Sequence, residues 1–219
     1  MLFRSRNDGR LFYVGSGSSG RIGVLDASEI PPTFGASREL VQGLIAGGAT
    51  ALHRSIEGAE DEQSAGALAL NARGIKHTDV VVGITASGRT PFVVGALARA
   101  KSIGAETVLL TCNPASLQTG VADLVINLAV GPEILTGSTR LKAGTATKVA
   151  LNIISTGAMV ALGKVRGNLM IDLHASSAKL RDRAVRVIAE LANCDYDSAR
   201  DQLEANDWNL RAIVDKIDK

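Results

Sequence analysis

Short runs of apolar residues recur along the chain, and each run ends at glycine or at small polar residues. Five of these runs are predicted to be strands, at residues 10–14, 40–46, 79–84, 107–111 and 123–129. The runs are continuous rather than alternating, which is typical of strands buried on both faces of a parallel sheet. The pattern therefore predicts a parallel sheet of about five strands.

Segments with helical spacing lie between the strands. Residues 91–103 open with proline, which favours a first helical turn, and their apolar residues recur at the spacing of a helix face. An alanine-rich segment at about 58–71 predicts another helix, and the loop after the first strand is expected to lead into a third. Alternating strands and helices predict an α/β fold, a three-layer sandwich built on the parallel sheet and followed by C-terminal helices.

The chain changes character after Gly137, where helical patterns follow one another. Helices are predicted at residues 138–162, 168–191, 198–206 and 209–217. This change predicts a main domain, residues 1–165, and a C-terminal helical region, residues 166–219. The end of that region resembles a small three-helix module of the ubiquitin-associated type. The simpler alternative is that these helices pack on the main domain or on a dimer partner.

The charge and cysteine content argue against several classes of function. The 219 residues carry 24 Lys and Arg against 22 Asp and Glu, with no basic run that would indicate binding to nucleic-acid phosphates. Cys112, Cys194 and the three histidines lack the spacing of a disulfide framework or a metal site. The N-terminus lacks a signal peptide's apolar core, and the longest apolar stretch, 149–162, is interrupted by polar residues. We therefore predict a cytoplasmic protein without nucleic-acid, membrane or metal partners.

Two loops rich in glycine and hydroxyl groups follow predicted strands, at the edge of the sheet where ligands bind in open α/β folds. They span residues 15–21 and 85–91. Free amides and hydroxyls at the start of a helix favour an anion such as a phosphate monoester. The first loop also matches the dinucleotide motif G-x-G-x-x-G, but no acidic residue follows the second strand to hold a ribose, so phosphate is favoured. A Walker loop is excluded, since Lys-Ser/Thr never follows the glycines.

Several carboxylates lie near these loops in sequence. Glu29 comes just before a double proline, which predicts that the first helix ends there and that Glu29 is rigidly placed. Acidic residues cluster at 57–62, where they are ordinary partners of a helix N-terminus, although one of them could reach the pocket. Asp26 and Glu133 are further candidates. Spacing alone does not select among them.

Several segments taken together resemble the signature of the N-acetylmuramic acid 6-phosphate etherase family. These segments are residues 17–35, 44–48, 57–61, 83–91, 136–148 and 167–172. The resemblance runs from about residue 10 into the C-terminal helices. The family has the sugar isomerase (SIS) fold, a parallel α/β sandwich, which agrees with the pattern of strands and helices.

The resemblance implies a cofactor-independent lyase of cell-wall recycling. Such an enzyme cleaves the D-lactyl ether of N-acetylmuramic acid 6-phosphate, giving N-acetylglucosamine 6-phosphate and D-lactate by elimination and then water addition. By match to the family motifs, Glu60 is the base that removes the C2 proton and Glu29 is the acid that protonates the departing oxygen. One carboxyl group must then be ionised while the other is protonated.

The same match implies the residues that hold the sugar phosphate, namely Ser18, Ser19, Thr85, Ser87 and Thr90. Arg89 could approach the phosphate or face solvent. Lys142 and Lys148 lie in a motif that the family shares, but no role follows for either. The family resemblance also implies a homodimer.

Two other functions on the same fold stay open. A sugar-phosphate sensor, such as a regulator of glucokinase, would bind a phosphosugar without turnover, and it would need neither carboxylate. A phosphosugar isomerase would need a base such as Glu60 but no acid for a leaving lactate. The longer N-terminal arm of the family is also expected to be shortened here, since the first strand begins near residue 10.

Overall fold

The computed structural model of the chain describes residues 8–118 and 120–217. Two compact units are present. The first comprises the described residues up to Ser28 together with Arg38–Thr156, and the second comprises Glu29–Ser37 together with the described residues from Gly157 onward. Within the described ranges, no helix combines the length and apolar character that a membrane span requires.

A parallel sheet of five strands forms the centre of the first unit. The strands are β1 (Leu11–Gly15), β2 (Val41–Ile45), β3 (Val80–Ile84), β4 (Glu106–Thr111) and β5 (Leu124–Asn127), in the order β2-β1-β3-β4-β5. The predicted parallel sheet is confirmed. Gly15 pairs with Ile45 on one side and with Ile84 on the other, so the loops after β1, β2 and β3 leave the same edge of the sheet side by side.

Helices alternate with these strands along the chain and continue after the last strand. They are α1 (Gly17–Phe34), α2 (Gln63–Ala72), α3 (Pro91–Ile103), α4 (Lys142–Ala161), α5 (Ala178–Ala192), α6 (Tyr196–Glu204) and α7 (Leu210–Ile217). Short 3₁₀ turns span Gly48–Leu52 and Pro114–Gln118. A two-stranded antiparallel hairpin, β6 (Val165–Arg166) and β7 (Leu169–Met170), precedes α5.

Three predicted helix boundaries were wrong. The first helix does not end before its prolines, because the Gly35 amide donates to the Pro31 carbonyl at 2.9 Å and helical bonding continues past the missing N–H groups. The helix predicted from residue 168 starts at Ala178, since the segment before it folds into the β6–β7 hairpin around Gly167. The helix predicted from about residue 58 starts at Gln63, after a turn at Gly58 with φ of 73°.

The apolar core confirms the three-layer arrangement of the first unit. On one face of the sheet, Phe12 and Val81 are fully buried in one cluster with Leu70 of α2 and Leu97 of α3. Successive side chains along a strand point to opposite faces of the sheet, so Tyr13 lies on the other face from Phe12. Gly23 of α1 packs against Tyr13 there. A Cβ on Gly23 would come within 2.9 Å of Tyr13 Cβ, so the absence of a side chain permits α1 to approach the sheet.

A buried ion pair joins the amino ends of β1 and β3, opposite the ligand-binding edge. The Arg10 guanidinium donates to both Asp79 carboxylate oxygens, at 3.2 and 2.7 Å, and the amides of Arg10 and Lys76 donate to them at 2.8 Å each. Burial alone would raise the pKa of Asp79, but these hydrogen bonds and the Arg10 charge hold it below its usual value.

The second unit has a core of its own, built from Ile171 and Leu173, which follow β7, and from α5, α6 and α7. Ile188, Leu203 and Leu210 are almost completely buried in it. Side chains cap two of its helices, as Ser177 accepts from the Leu180 amide and Asp195 accepts from the Ser198 amide. The predicted division of the chain at residue 165 stays a prediction.

Candidate active site

A cavity of about 240 Å³ opens where the loops after β1 and β2 leave the sheet. Ser16, Gly17 and Arg21 line it from the start of α1, and Ala46, Ala51 and residues 55–60 line it from the segment after β2. Ligands of open α/β sheets bind beyond the carboxyl ends of the strands, so this cavity lies at the expected edge. It contains Glu60, the predicted base.

Two hydrogen bonds hold Glu60, and a turn spans it. The Ser16 hydroxyl donates to Glu60 Oε2 at 2.8 Å, and the Glu60 carbonyl accepts from the Phe92 amide at 3.0 Å. Asp61 closes a turn by donating its amide to the Gly58 carbonyl at 3.1 Å. The carboxylate is therefore anchored to the end of β1 through its side chain and to the first turn of α3 through its backbone.

The loop after β1 turns directly into α1. A Cβ on Gly15 would lie 2.7 Å from the Gly20 nitrogen, so only glycine allows the strand end to approach the first turn of the helix this closely. Ser18 and Ser19 lie in that turn and are half-buried. Because the first amides of a helix have no partners within the helix, this turn can accept an anion.

The loop after β3 brings its three predicted hydroxyls together. Thr85 Oγ1 lies 2.8 Å from Thr90 Oγ1 and 3.1 Å from Ser87 Oγ. Thr85 is buried, whereas Ser87 is exposed and also accepts from the Arg89 amide at 3.3 Å. The three hydroxyl groups thus form a small polar cradle at the start of α3, which begins at Pro91.

The end of β4 supports this cradle from below. The Asn113 side-chain amide donates to the Ser87 carbonyl at 2.9 Å, and the Thr111 hydroxyl donates to the Ala86 carbonyl at 3.2 Å. Gly88 has φ of 73°, and a Cβ there would overlap Ser116 Oγ, so both the conformation and the space require glycine. The loop is held in one shape before any ligand arrives.

The predicted acid, Glu29, lies in α1 and is exposed. It belongs to the second compact unit, whereas Glu60 and both hydroxyl loops belong to the first. Its role as the acid rests on the family motif and stays a prediction. The same holds for the roles of Glu60, Ser18, Ser19, Thr85, Ser87 and Thr90.

Two further carboxylates that the sequence raised as candidates have structural partners. Glu133 accepts from the Lys142 and Ala143 amides, each at 2.9 Å, and thereby caps α4. The amide of Ala143, joined by that of Lys142, lowers the pKa of Glu133 below its usual value. Asp26 is buried, and its Oδ1 accepts from Asn152 at 2.6 Å and from Ser155 at 3.2 Å, which ties α1 to α4 within the first unit.

A larger cavity, of about 920 Å³, lies in the second unit, and three of its charged lining residues, Lys164, Asp172 and Arg211, pair with one another. The Arg211 guanidinium donates to Asp172 at 2.6 and 2.8 Å, and the Lys164 ammonium lies 2.8 Å from the same carboxylate. Burial would raise the pKa of Asp172, but hydrogen bonds from Arg211 and Lys164 keep it below its usual value. This cluster stabilises the second unit, so size alone does not make the cavity the active site.

The remaining candidate cations lie at the surface. Arg89, Lys142 and Lys148 are exposed or half-buried, and no role emerges for any of them. In the part of the chain that the structure describes, no group of three or more His, Cys, Asp or Glu side chains could hold a metal ion.

Sequence reasoning missed three residues of this region. Ser16 donates a hydrogen bond to Glu60, and Asn113 donates one to the Ser87 carbonyl. Arg21 lines the cavity that contains Glu60. Ser16 and Arg21 belong to the glycine-rich loop that the sequence singled out, so the position of that loop was a signal for both. No local signal marked Asn113, because its partner is 26 residues away.

Chemically, the arrangement combines an anchored carboxylate with a cluster of three hydroxyl groups. An anchored carboxylate in a cavity can accept a proton, and clustered hydroxyls beside free helix amides can bind a phosphate. Both features lie at one edge of the sheet, after the neighbouring strands β1, β2 and β3. This is the layout that a proton transfer on a phosphorylated small molecule requires.

Comparison with solved structures supports the fold. The E. coli CFT073 protein c3406, solved as a complex with a ligand, matches with a TM-score of 0.53 at 17% identity, over 76% of this chain and 82% of its own. The C-terminal domain of glucosamine-fructose-6-phosphate aminotransferase from Francisella tularensis matches with a TM-score of 0.50 at 16% identity, over 88% of this chain and 50% of its own. At these identities the likeness concerns the fold alone.

Comparison of sequences gives the family. A family model described as the glucokinase regulatory protein N-terminal SIS domain matches residues 1–101. The N-acetylmuramic acid 6-phosphate etherase of Gloeobacter violaceus is 57% identical over 95% of this chain and 68% of its own. The protein of the same name from Symbiobacterium thermophilum is 56% identical over 96% of this chain and 70% of its own. The chain therefore belongs to the N-acetylmuramic acid 6-phosphate etherase family.

Proposed function

We propose that this chain is a carbon–oxygen lyase that cleaves the D-lactyl ether of N-acetylmuramic acid 6-phosphate. The observation that carries the proposal is the position of Glu60, anchored by Ser16 in a cavity at the ligand-binding edge of the sheet. The names of the relatives supply the substrate, and the cradle in the next loop suits its phosphate. A sensor or isomerase is less favoured, because the relatives at about half identity or more carry the etherase name.

The proposed reaction starts with the ring-opened sugar, whose aldehyde acidifies the proton at C2. The Glu60 carboxylate takes that proton, and the C2 electron pair forms a double bond to C3 as the C3–O bond breaks. Glu29 donates a proton to the departing oxygen, which leaves as D-lactate. Water then adds at C3 and a proton returns to C2, giving N-acetylglucosamine 6-phosphate. Each general acid or base step of this kind contributes about 10²–10⁴-fold to the rate.

The phosphate group is proposed to bind at the two loops. Thr85, Ser87 and Thr90 would donate hydroxyl hydrogen bonds, and Ser18 and Ser19 would add hydroxyls and helix amides. The mutual hydrogen bonds among the three hydroxyls of the second loop support this role, because they hold the donors close together before the ligand binds.

Substitution of the two glutamates tests the assignment of base and acid. Release of D-lactate from N-acetylmuramic acid 6-phosphate is expected to fall by about 10²–10⁴-fold in Glu60→Gln and in Glu29→Gln, since each amide keeps the shape but cannot transfer the proton. Glu62→Gln is the matched control, because Glu62 is exposed in the same acidic segment and does not line the cavity. Wild-type-like release in Glu60→Gln would contradict the assignment.

The proposed enzyme is cytoplasmic and forms a homodimer. Apolar side chains exposed along and ahead of α4 support self-association, since Val149 is 51% exposed, Ile153 is 67% exposed and Ile134 is 92% exposed. Val149 and Ile153 are four residues apart and share one face of the helix. A second copy of the chain that covered this face would remove the apolar surface from water.

A further inference from the structure

Arg21 is the cation of the Glu60 cavity. It lies in α1, is half-buried, and lines the cavity together with Ser16, Glu57 and Glu60. It is the only positively charged side chain among the cavity-lining residues in the described part of the chain. An anionic part of a ligand in this cavity would therefore find its only formally positive partner among these lining residues in the Arg21 guanidinium.

The Arg21 guanidinium is anchored through Nε, and its Nη atoms can bind a ligand. Arg21 Nε donates to the Leu52 carbonyl at 3.2 Å, which fixes the guanidinium against the 3₁₀ turn that follows β2. Among residues 8–118 and 120–217, no acceptor is hydrogen bonded to either Nη atom, and no carboxylate lies within ion-pair distance of them. Two parallel N–H groups are thus left for a planar, two-oxygen acceptor.

The proposed substrate presents such an acceptor close to the reacting atoms. Its lactyl group ends in a carboxylate, which is separated from C2 only by C3, the ether oxygen and one carbon atom. A base at C2 must be ionised, so it repels that carboxylate across a short distance. A cation in the same cavity offsets this repulsion and also stabilises the charge of the departing lactate.

We propose that Arg21 forms a carboxylate subsite that binds the lactyl carboxylate of the substrate through its free Nη atoms. The inference rests on the proposed function and adds to it the residue that separates a lactyl ether from the same sugar without one. The phosphate is assigned to the hydroxyls of Ser18, Ser19, Thr85, Ser87 and Thr90, so the role proposed for Arg21 is to discriminate by the carboxylate. Arginine suits this task because its fork matches the two carboxylate oxygens, which a lysine ammonium does not.

The test compares two ligands that differ in the lactyl group. N-acetylmuramic acid 6-phosphate carries both phosphate and carboxylate, whereas N-acetylglucosamine 6-phosphate carries only the phosphate. Calorimetric titration of both is performed in a Glu60→Gln background, so that turnover does not interfere. Arg21→Met is expected to weaken binding of the first ligand by about 10- to 100-fold, the range of a charge-assisted hydrogen bond, and of the second by less than about threefold.

Two further variants keep the comparison decisive. Arg21→Lys retains the charge but loses the fork, so it is expected to lower the affinity for the lactyl ligand several-fold and to leave the other ligand unchanged. The ratio of the Arg21→Lys affinities for the two ligands tests the carboxylate subsite even if Arg21→Met does not fold. Arg54→Met is the matched control, because Arg54 is exposed and near the cavity segment but does not line it, and both affinities should stay unchanged.

Two outcomes of the titrations would overturn the inference. Equal weakening of both ligands would assign Arg21 to the phosphate, and no weakening of either would make it a purely structural side chain. Failure of the proposed function gives another result, in which wild-type protein binds both sugars but releases no D-lactate. In that case the ratio of affinities still reports on the carboxylate subsite.

Discussion

At the scale of single residues, the ion pair of Arg10 and Asp79 has a defined effect on stability. The Asp79 side chain is fully buried and accepts four hydrogen bonds, from Arg10 and from the Lys76 amide. Asp79→Asn removes the negative charge, so the guanidinium loses its carboxylate and keeps only its hydrogen bonds to the Arg73 and Gly74 carbonyls. We expect the free energy of unfolding at pH 7 to fall by about 3 kcal/mol, measured by urea denaturation. Asp61→Asn, at an exposed site, should change it by less than about 0.5 kcal/mol.

The ion pair of Arg10 and Asp79 also predicts how the stability of the protein changes with pH. The pKa of Asp79 is lower in the folded protein than in the unfolded chain, so its contribution is complete above the unfolded value of about 3.9. The contribution is lost as the pH falls through the folded-state value. The stability difference between wild type and Asp79→Asn should therefore shrink in acid. A difference that stayed constant from pH 7 to pH 3 would contradict this account.

The family motif predicted a position for one site residue, while the role of that residue stays a prediction. The family motif selected Glu60 from the acidic cluster at 57–62, and the structure places that residue in the cavity. Spacing did not show that Asp26 and Glu133 serve structural purposes. The partners of Glu133 are the amides that begin α4, nine and ten residues later, whereas those of Asp26 lie in a distant segment. Asn152 and Ser155 contact Asp26 from more than 100 residues away, and such contacts leave no local pattern.

At the scale of elements, the close approach of α2 and α3 holds the segment that carries Glu60. A Cβ on Gly95 would overlap the Gln63 carbonyl oxygen, and one on Gly66 would overlap that of Phe92. The Phe92 amide also donates to the Glu60 carbonyl, so the two helices and the Glu60 backbone form one packed assembly. The glycines are therefore required by space rather than by backbone conformation.

Substitution of Gly95 tests this packing. Gly95→Ala is expected to lower the free energy of unfolding by about 1–3 kcal/mol, because the added methyl group forces the helices apart. The matched control is Gly157→Ala on α4, where a Cβ would meet nothing within 4 Å, and it should raise stability by up to about 1 kcal/mol through helix propensity. Thermal and denaturant unfolding measure both. Equal changes in the free energy of unfolding for Gly95→Ala and Gly157→Ala would refute the role of the close contact between α2 and α3.

Element types were predicted better than element ends. The five strands followed from continuous apolar runs, because burial on both faces leaves a strong local pattern. The continuation of α1 past Pro31 and Pro32 and the hairpin before α5 were not predicted. Proline usually ends a helix, and a hairpin with strands of two residues each is too short to show periodicity.

At the scale of the whole molecule, the exposed apolar face of α4 predicts self-association. Ile153→Lys places a charge on that face, so we expect a shift from dimer to monomer by light scattering or sedimentation equilibrium. Leu68→Lys is the matched control, since Leu68 is 64% exposed on α2 and its replacement should leave the dimer intact. A wild-type chain that is monomeric at micromolar concentration would refute the proposed dimer.

The composition of the two compact units could not be predicted from sequence. Residues Glu29–Ser37 join the unit formed by the C-terminal part of the chain, although they follow α1 residues of the first unit without a break in the helix. Local patterns report only nearest neighbours along the chain, so they do not show such a long-range association. The helical character after α4 was nevertheless visible in the periodicity of α5, α6 and α7.

The most direct test of the account is proton NMR of N-acetylmuramic acid 6-phosphate with the wild-type protein in deuterated water. It follows release of D-lactate and entry of deuterium at C2 in one experiment. We predict that both occur, that Glu60→Gln suppresses both, and that Glu29→Gln suppresses lactate release while some C2 exchange continues. Lactate release without deuterium at C2 would contradict elimination by a base at Glu60, and saturable binding with neither signal would contradict the enzyme itself.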